Sequence, residues 1–156
     1  MSKHSPEINY VTKEELQSKS RFNVMVVDDD LNTVDVFSEY LELTDHKVVG
    51  KAFDGKQAFE MFKQVRPDFV FLDIMMPEYD GFYALEKIKQ YDRTAFVIAV
   101  TADLSNETED KLHRLYVDSI VYKPFDMDNI LSIMESLYKK KSLQYVANEV
   151  AGAVEN

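Results

Sequence analysis

The chain has 156 residues and a mass of 18.1 kDa, which suits one domain with short tails and leaves little room for a second catalytic or DNA-binding unit. Hydrophobic residues make up 46% and aromatics 12% of it, enough for a sizeable core, while the lack of cysteine excludes disulfides, thiolate metal sites and cysteine nucleophiles. Lys and Arg number 18 against 28 Asp and Glu, a formal net charge of −10 that repels phosphate backbones and disfavours direct nucleic-acid binding.

Residues 1–21 are polar, with no apolar core of a signal peptide, and read as an N-terminal extension. Thr12 and Glu15 fit a capping box, so the extension reads as either partly disordered or a short helix of one or two turns, with no continuous apolar stripe that demands docking. Apolar runs such as Ala95–Val100 fall far short of the roughly 20 residues that span a bilayer. A cytoplasmic protein with no membrane contact is therefore expected.

From Phe22 onward, short β-branched runs alternate with segments of helical period. FNVMVV at 22–27, KVVGKAF at 47–53, DFVFL at 68–72, AFVIAV at 95–100 and SIVY at 119–122 read as strands. Between them Val34, Phe37 and Leu41, then Ala58, Met61, Phe62 and Val65, then Leu85 and Ile88 recur every three or four residues and predict helices. Ile130, Ile133, Met134 and Leu137 continue the pattern after the last strand. The alternation implies an α/β fold, βα five times, with a parallel sheet covered on both faces. Asp54-Gly55 and Asp80-Gly81 read as turns. The Lys139-Lys140-Lys141 triplet reads as a solvated helix end.

The chemistry-bearing residues gather where strands end. Asp28, Asp29 and Asp30 follow the first strand, Asp73 the third, Thr101 the fourth and Lys123 the fifth. In open α/β sheets ligands bind outside the carboxyl ends of the strands, so these residues can converge on one crevice. Several carboxylates in one crevice are tolerated when they hold a hard cation, and Mg²⁺ fits that donor set. A carboxylate beside such a cation can attack phosphorus while a lysine ammonium and a threonine hydroxyl hold the phosphoryl oxygens. Asp73, alone at the end of a strand that reads as buried, is the candidate nucleophile.

The motifs VVDDD at 26–30, LDIMMPEYDG at 72–81, VTA at 100–102 and KPF at 123–125 together resemble the response-regulator receiver domain of two-component signalling. The resemblance covers residues 22–141 and implies the doubly wound (βα)5, CheY-like fold, with five parallel strands in the order 2-1-3-4-5. It further implies that Asp28 and Asp29 are the acidic metal pair, that Asp73 is the phosphoacceptor, and that the backbone carbonyl of Met75 is a Mg²⁺ ligand. Thr101 and Lys123 would sense the phosphoryl group, and the Lys123-Pro124 bond would be cis. Met75 and Asp103, two positions beyond the phosphoacceptor and the threonine, would influence how long the phosphoryl group survives.

Other residues admit plainer roles. Asp30 is either a third ligand or a helix N-cap. His4, His46 and His113 have no ligand spacing and no assigned role. Ile120 stands where the family carries an aromatic switch residue, and Tyr116 where it carries a helix-ending glycine, so both the switch and the closing turn should differ from the pattern. In the tail, 142–156, Leu143, Val146, Ala147, Val150 and Val154 recur at helical spacing. That stripe suits either an extended last helix that meets a partner or forms a homodimer, or a frayed end.

The expected function is a stand-alone response regulator. A sensor histidine kinase or phosphotransfer protein would phosphorylate Asp73 in a Mg²⁺-dependent step, and output would be an altered contact with an unknown downstream protein. It is not expected to be an enzyme acting on other substrates. Two rivals are a phosphorylation-independent interaction module and a haloacid-dehalogenase-like phosphatase with Asp28 as nucleophile. Against the phosphatase, Thr33 lies one place too far for its D-x-D-x-T motif.

Overall fold

A computed structural model describes residues 21–154; the capping box at Thr12 and Glu15, and His4, lie outside the described residues. Five strands, β1 (Asn23–Val27), β2 (Lys47–Ala52), β3 (Phe69–Asp73), β4 (Phe96–Thr101) and β5 (Ser119–Tyr122), alternate with five helices. These are α1 (Leu31–Leu43), α2 (Gly55–Val65), α3 (Gly81–Tyr91), α4 (Asn106–Arg114) and α5 (Met127–Val154). The sheet is parallel throughout, in the order β2-β1-β3-β4-β5, as the resemblance implies. Asp73 and Thr101 are the last residues of β3 and β4, where the sequence placed them just beyond.

Side chains alternate across the sheet and divide the core in two. Met25, Val27, Val70, Leu72, Val97 and Ala99 pack under α2, α3 and α4, which contribute Phe62, Leu85, Ile88 and Leu112. Val24, Val26, Phe69, Phe71, Ile98 and Val100 pack under α1 and α5, which contribute Phe37, Leu41, Ile130 and Met134. Every position of β3 is buried, which explains its unbroken apolar run.

The helices start where short polar side chains accept the first free N–H groups. Asp30, Asp54, Asp80 and Ser105 cap α1 to α4. The two Asp-Gly pairs are thus helix starts rather than turns. Their glycines answer to space: a methyl at Gly81 would meet the carbonyl of Asp73 and stand 2.6 Å from Cα of Ile74. One at Gly55 would stand 2.8 Å from the carbonyl oxygen of Tyr79.

The turn after α4 closes in the ordinary way with an unusual residue. Val117 N–H donates to Leu112 O at 3.1 Å and Tyr116 N–H to His113 O at 3.0 Å, a glycine-type helix end in which Tyr116 takes φ 65°. The Arg93 guanidinium stacks 3.6 Å from the centre of the Tyr116 ring, a contact glycine could not make. The expectation of a different closure is therefore corrected: the geometry is kept and the side chain replaces what glycine's freedom would give.

Two buried polar groups have structural work that the sequence did not disclose. His46 is only 7% exposed; it stacks on Phe22 and its Nδ1 accepts the Phe22 N–H at 3.1 Å. Lys89 reaches from α3 to Asp118 at 2.8 Å and donates to Ala95 O at 2.6 Å, tying that helix to the entries of β4 and β5.

Candidate functional site

The sheet order reverses direction at β1, whose neighbours β2 and β3 lie on opposite sides of it, so the connections leaving β1 and β3 part to opposite faces and open a crevice between them. Asp28 and Asp29 stand at one lip and Asp73 at the other. One carboxylate oxygen from each lies within 4.8 Å of the others. Asp28 and Asp73 are buried and Asp29 is exposed, so the cluster is rooted in the core and open to solvent on one side.

Neighbouring groups fix each carboxylate. Asp28 Oδ1 accepts the Asp30 N–H at 2.9 Å, and Asp73 Oδ1 accepts the Met75 N–H at 3.2 Å. Lys123 Nζ enters from β5, 3.2 Å from Asp28 Oδ2 and 3.8 Å from Asp73 Oδ2. The Lys123-Pro124 bond is cis, and Phe37, Phe71 and Phe125 line the apolar wall beside the lysine.

Burial, followed by the charge of Asp28, pushes the Asp73 carboxyl up to about 6, while Lys123 and the Met75 N–H pull the other way. One ammonium does not neutralise three carboxylates. A divalent cation with a preference for oxygen would, and the hard donor set of Asp28, Asp29 and Asp73 fits one. Asp30 is turned to other use: its Oδ1 accepts from Asn32 and Thr33 N–H at 2.9 and 3.4 Å, which settles it as the cap of α1.

Thr101 is fully buried at the end of β4. Its Oγ1 accepts the Asp103 N–H at 3.1 Å, a bond that does not use the hydroxyl's own proton. The loop behind it is clamped by a contact that sequence reasoning missed: Thr108 Oγ1 donates to Asp103 Oδ2 at 2.6 Å and Ser105 N–H to Asp103 Oδ1 at 2.8 Å. The signal was present in the spacing of Asp103, Ser105 and Thr108 ahead of a helix. Met75 is exposed beside the site, and Ile120 is half-buried and packs with the core under α2, α3 and α4.

The family model for the response regulator receiver domain matches residues 24–135. The chain belongs to that family. This receiver domain is 32% identical over 120 residues to the chemotaxis protein CheY of Treponema pallidum, covering 76% of this chain and 83% of that protein. It is 35% identical over 108 residues to the protein CcdB of Bacillus subtilis, covering 69% of this chain and 90% of that one. Among solved structures it resembles a chain of the CheX-CheY-BeF3-Mg²⁺ complex of Borrelia burgdorferi, with a TM-score of 0.71 and 28% identity over 75% of this chain and 89% of that one. Among the described residues of this receiver domain, no helix is long and apolar enough to cross a membrane.

Proposed function

We propose that this receiver domain acts as a stand-alone, cytoplasmic response regulator whose Asp73 accepts a phosphoryl group. The observation that carries the proposal is the meeting of Asp28, Asp29 and Asp73 within 4.8 Å with Lys123 reaching both buried carboxylates. The receiver unit is taken as residues 22–141, flanked by the N-terminal extension 1–21 and the tail 142–156.

In the proposed reaction an oxygen of Asp73 attacks the phosphorus of a phosphohistidine on a sensor kinase or phosphotransfer protein. An O–P bond forms, the N–P bond breaks, and the imidazole leaves with its electron pair. Asp28, Asp29, Asp73 and the Met75 carbonyl would hold Mg²⁺, which supplies charge neutralisation for the transferring group. Lys123 swings its ammonium from Asp28 toward a phosphoryl oxygen, and Thr101 donates its hydroxyl proton to another. Asp73 must be ionised to attack; burial and the Asp28 charge raise its carboxyl to about 6, and a cation held by the three aspartates would favour the ionised form that the reaction needs.

The output is a change in affinity for a downstream protein, carried by movement of Thr101 and the loop it holds. The comparison with the CheX–CheY complex supports a protein as the output partner. With Ile120 in place of an aromatic switch, the movement passes through the Asp103 N–H and its clamp to α4.

The test is incubation with acetyl phosphate and Mg²⁺, followed by intact mass and peptide mapping. One phosphoryl group on Asp73, absent in Asp73→Asn and without the metal, is expected. Label on Asp28 would instead favour the phosphatase mechanism. No label, with acetyl phosphate or with phosphorylated kinase, would leave the phosphorylation-independent module.

A further inference from the structure

The end of the sheet opposite Asp73 carries a second hollow, of about 380 Å³, within the roughly 300–1,000 Å³ range of sites that take up a ligand. Asp68, Asp92 and Phe96, at the entries of β3 and β4, line one side of it, and Tyr138, Lys141 and Tyr145 of α5 the other. The last helix continues to Val154, well past Ile130, Met134 and Tyr138, which pack on the sheet. Lys141 ties this longer part to the domain: its Nζ donates to Thr94 O at 2.7 Å and lies 4.6 Å over the Phe96 ring. Tyr145, about one turn further on, is 62% exposed, so among the described residues the outer wall of the hollow is bare.

The chain enters β1 at the rim of this hollow. Asn23 N–H donates to Asp68 Oδ2 at 2.8 Å, and the Phe22 ring lies 5.2 Å from that of Tyr138; both partners line the hollow. Residues 1–20 are therefore tethered at its edge, where a handful of residues at up to about 3.3–3.6 Å each can reach across it. So short a tether holds the segment at an effective concentration on the order of millimolar.

We infer that residues 13–20 occupy this hollow and strap the longer part of α5 to the base of the sheet. Charge selects this occupant. Asp68 and Asp92 line the hollow with one cation, Lys141, whose ammonium is committed to Thr94 O, and Arg66 stands 3.7 Å from Asp92. Behind Phe22 the chain presents Arg21 and Lys19 first, then Glu15 and Glu14. The cations thus come to the aspartates beside the chain's entry, and the glutamates to Lys141. Leu16 supplies an apolar side chain for the rings of Phe96, Tyr138 and Tyr145. The contact relies on charge and a single leucine rather than on an apolar stripe, and it does not depend on the chemistry of Asp73.

The experiment is paramagnetic broadening of amide signals in the full chain. The sequence has no cysteine, so Gln17→Cys takes a single nitroxide label. The Thr94, Phe96 and Tyr145 amides should lose more signal than that of Lys47, although Lys47 pairs directly with Asn23; a segment loose in solvent would give the reverse order. Lys19→Glu with Arg21→Glu should abolish the excess loss and speed amide exchange along 142–150 several-fold. Nitroxide-labelled protein mixed with an isotope-enriched copy that carries no nitroxide should broaden nothing at the hollow. The reverse order of loss, an excess that survives both charge reversals, or broadening between copies would overturn the inference.

Discussion

Lys123 is hydrogen-bonded to Asp28, 95 residues away, at 3.2 Å, nearer than to Asp73 at 3.8 Å. Its resting partner is thus a carboxylate at the other lip of the crevice from the candidate nucleophile. Among the described residues, Lys123→Met removes the only cation paired with this cluster and leaves Asp28 buried against Asp73. Phosphoryl uptake from acetyl phosphate should fall on the order of 10²-fold or more, the scale for losing one electrostatic donor. Rates of intact-mass change check this, and an unchanged rate would remove Lys123 from the reaction.

Asp73 is the second test, through pH. Its carboxyl is raised from 3.8 to about 6, so the fold favours its protonated form. That contribution is fully present below about pH 3.8 and is lost as pH rises through about 6. At 1.36 kcal/mol per unit, ionised Asp73 destabilises the metal-free protein at pH 7 by on the order of 1–3 kcal/mol. Asp73→Asn should therefore be more stable than wild type in chelator at pH 7, by an amount that shrinks toward pH 4. Urea midpoints measured across that range check it. Added Mg²⁺ should stabilise wild type and reduce the difference.

Thr108 tests the route from Thr101 to α4. Its hydroxyl is the main cause holding the Asp103 carboxyl below the usual carboxylate range, with the Ser105 N–H next. Thr108→Val should move the Asp103 titration toward ordinary values, as read by carboxyl-carbon NMR. It should also loosen the loop whose N–H meets Thr101, and weaken binding of a phosphoryl mimic such as beryllofluoride several-fold. Thr108→Ser should recover both.

His46 predicts an acid weakness. Burial lowers its pKa below 6.5, against smaller opposite effects of Glu135 and Asp45, so the fold keeps it neutral. This contribution is present above pH 6.5 and is lost as pH falls through the lowered value. His46→Phe keeps the ring against Phe22 but removes the acceptor of its N–H, at a cost of about 1–2 kcal/mol near pH 7. Its stability should then lack the acid step expected of wild type below pH 6.5.

Gly81 sets the floor of the site. A methyl there would press on the backbone of Asp73 and Ile74, so Gly81→Ala should cost about 1–3 kcal/mol through backbone displacement. Uptake of phosphoryl at Asp73 should drop with it, because the loop carrying Met75 leaves its position. Thermal melts and mass spectrometry on the same sample separate the two effects.

Much of this site was legible because strand ends are fixed by local pattern. The apolar runs end at Val27, Leu72, Val100 and Tyr122, so Asp28, Asp73, Thr101 and Lys123 fall at one edge of any parallel sheet they build. What pattern could not supply was the choice among uses that one side chain permits. Asp30 had equal claims as ligand and cap until its oxygen was found on the Asn32 and Thr33 N–H groups. Tyr116 looked like a broken turn, yet stacking by Arg93, a residue distant in sequence, accompanies its left-handed backbone.

Periodicity and residue type, which are properties of neighbours along the chain, determined the order of elements, the two buried faces and the membership of the acidic cluster. Distances across the crevice, the lowered pKa of His46 and the Asp103–Thr108 clamp were decided only by tertiary structure. Each depends on where groups far apart in sequence come to rest, and burial, charge and hydrogen bonding act through space rather than along the chain.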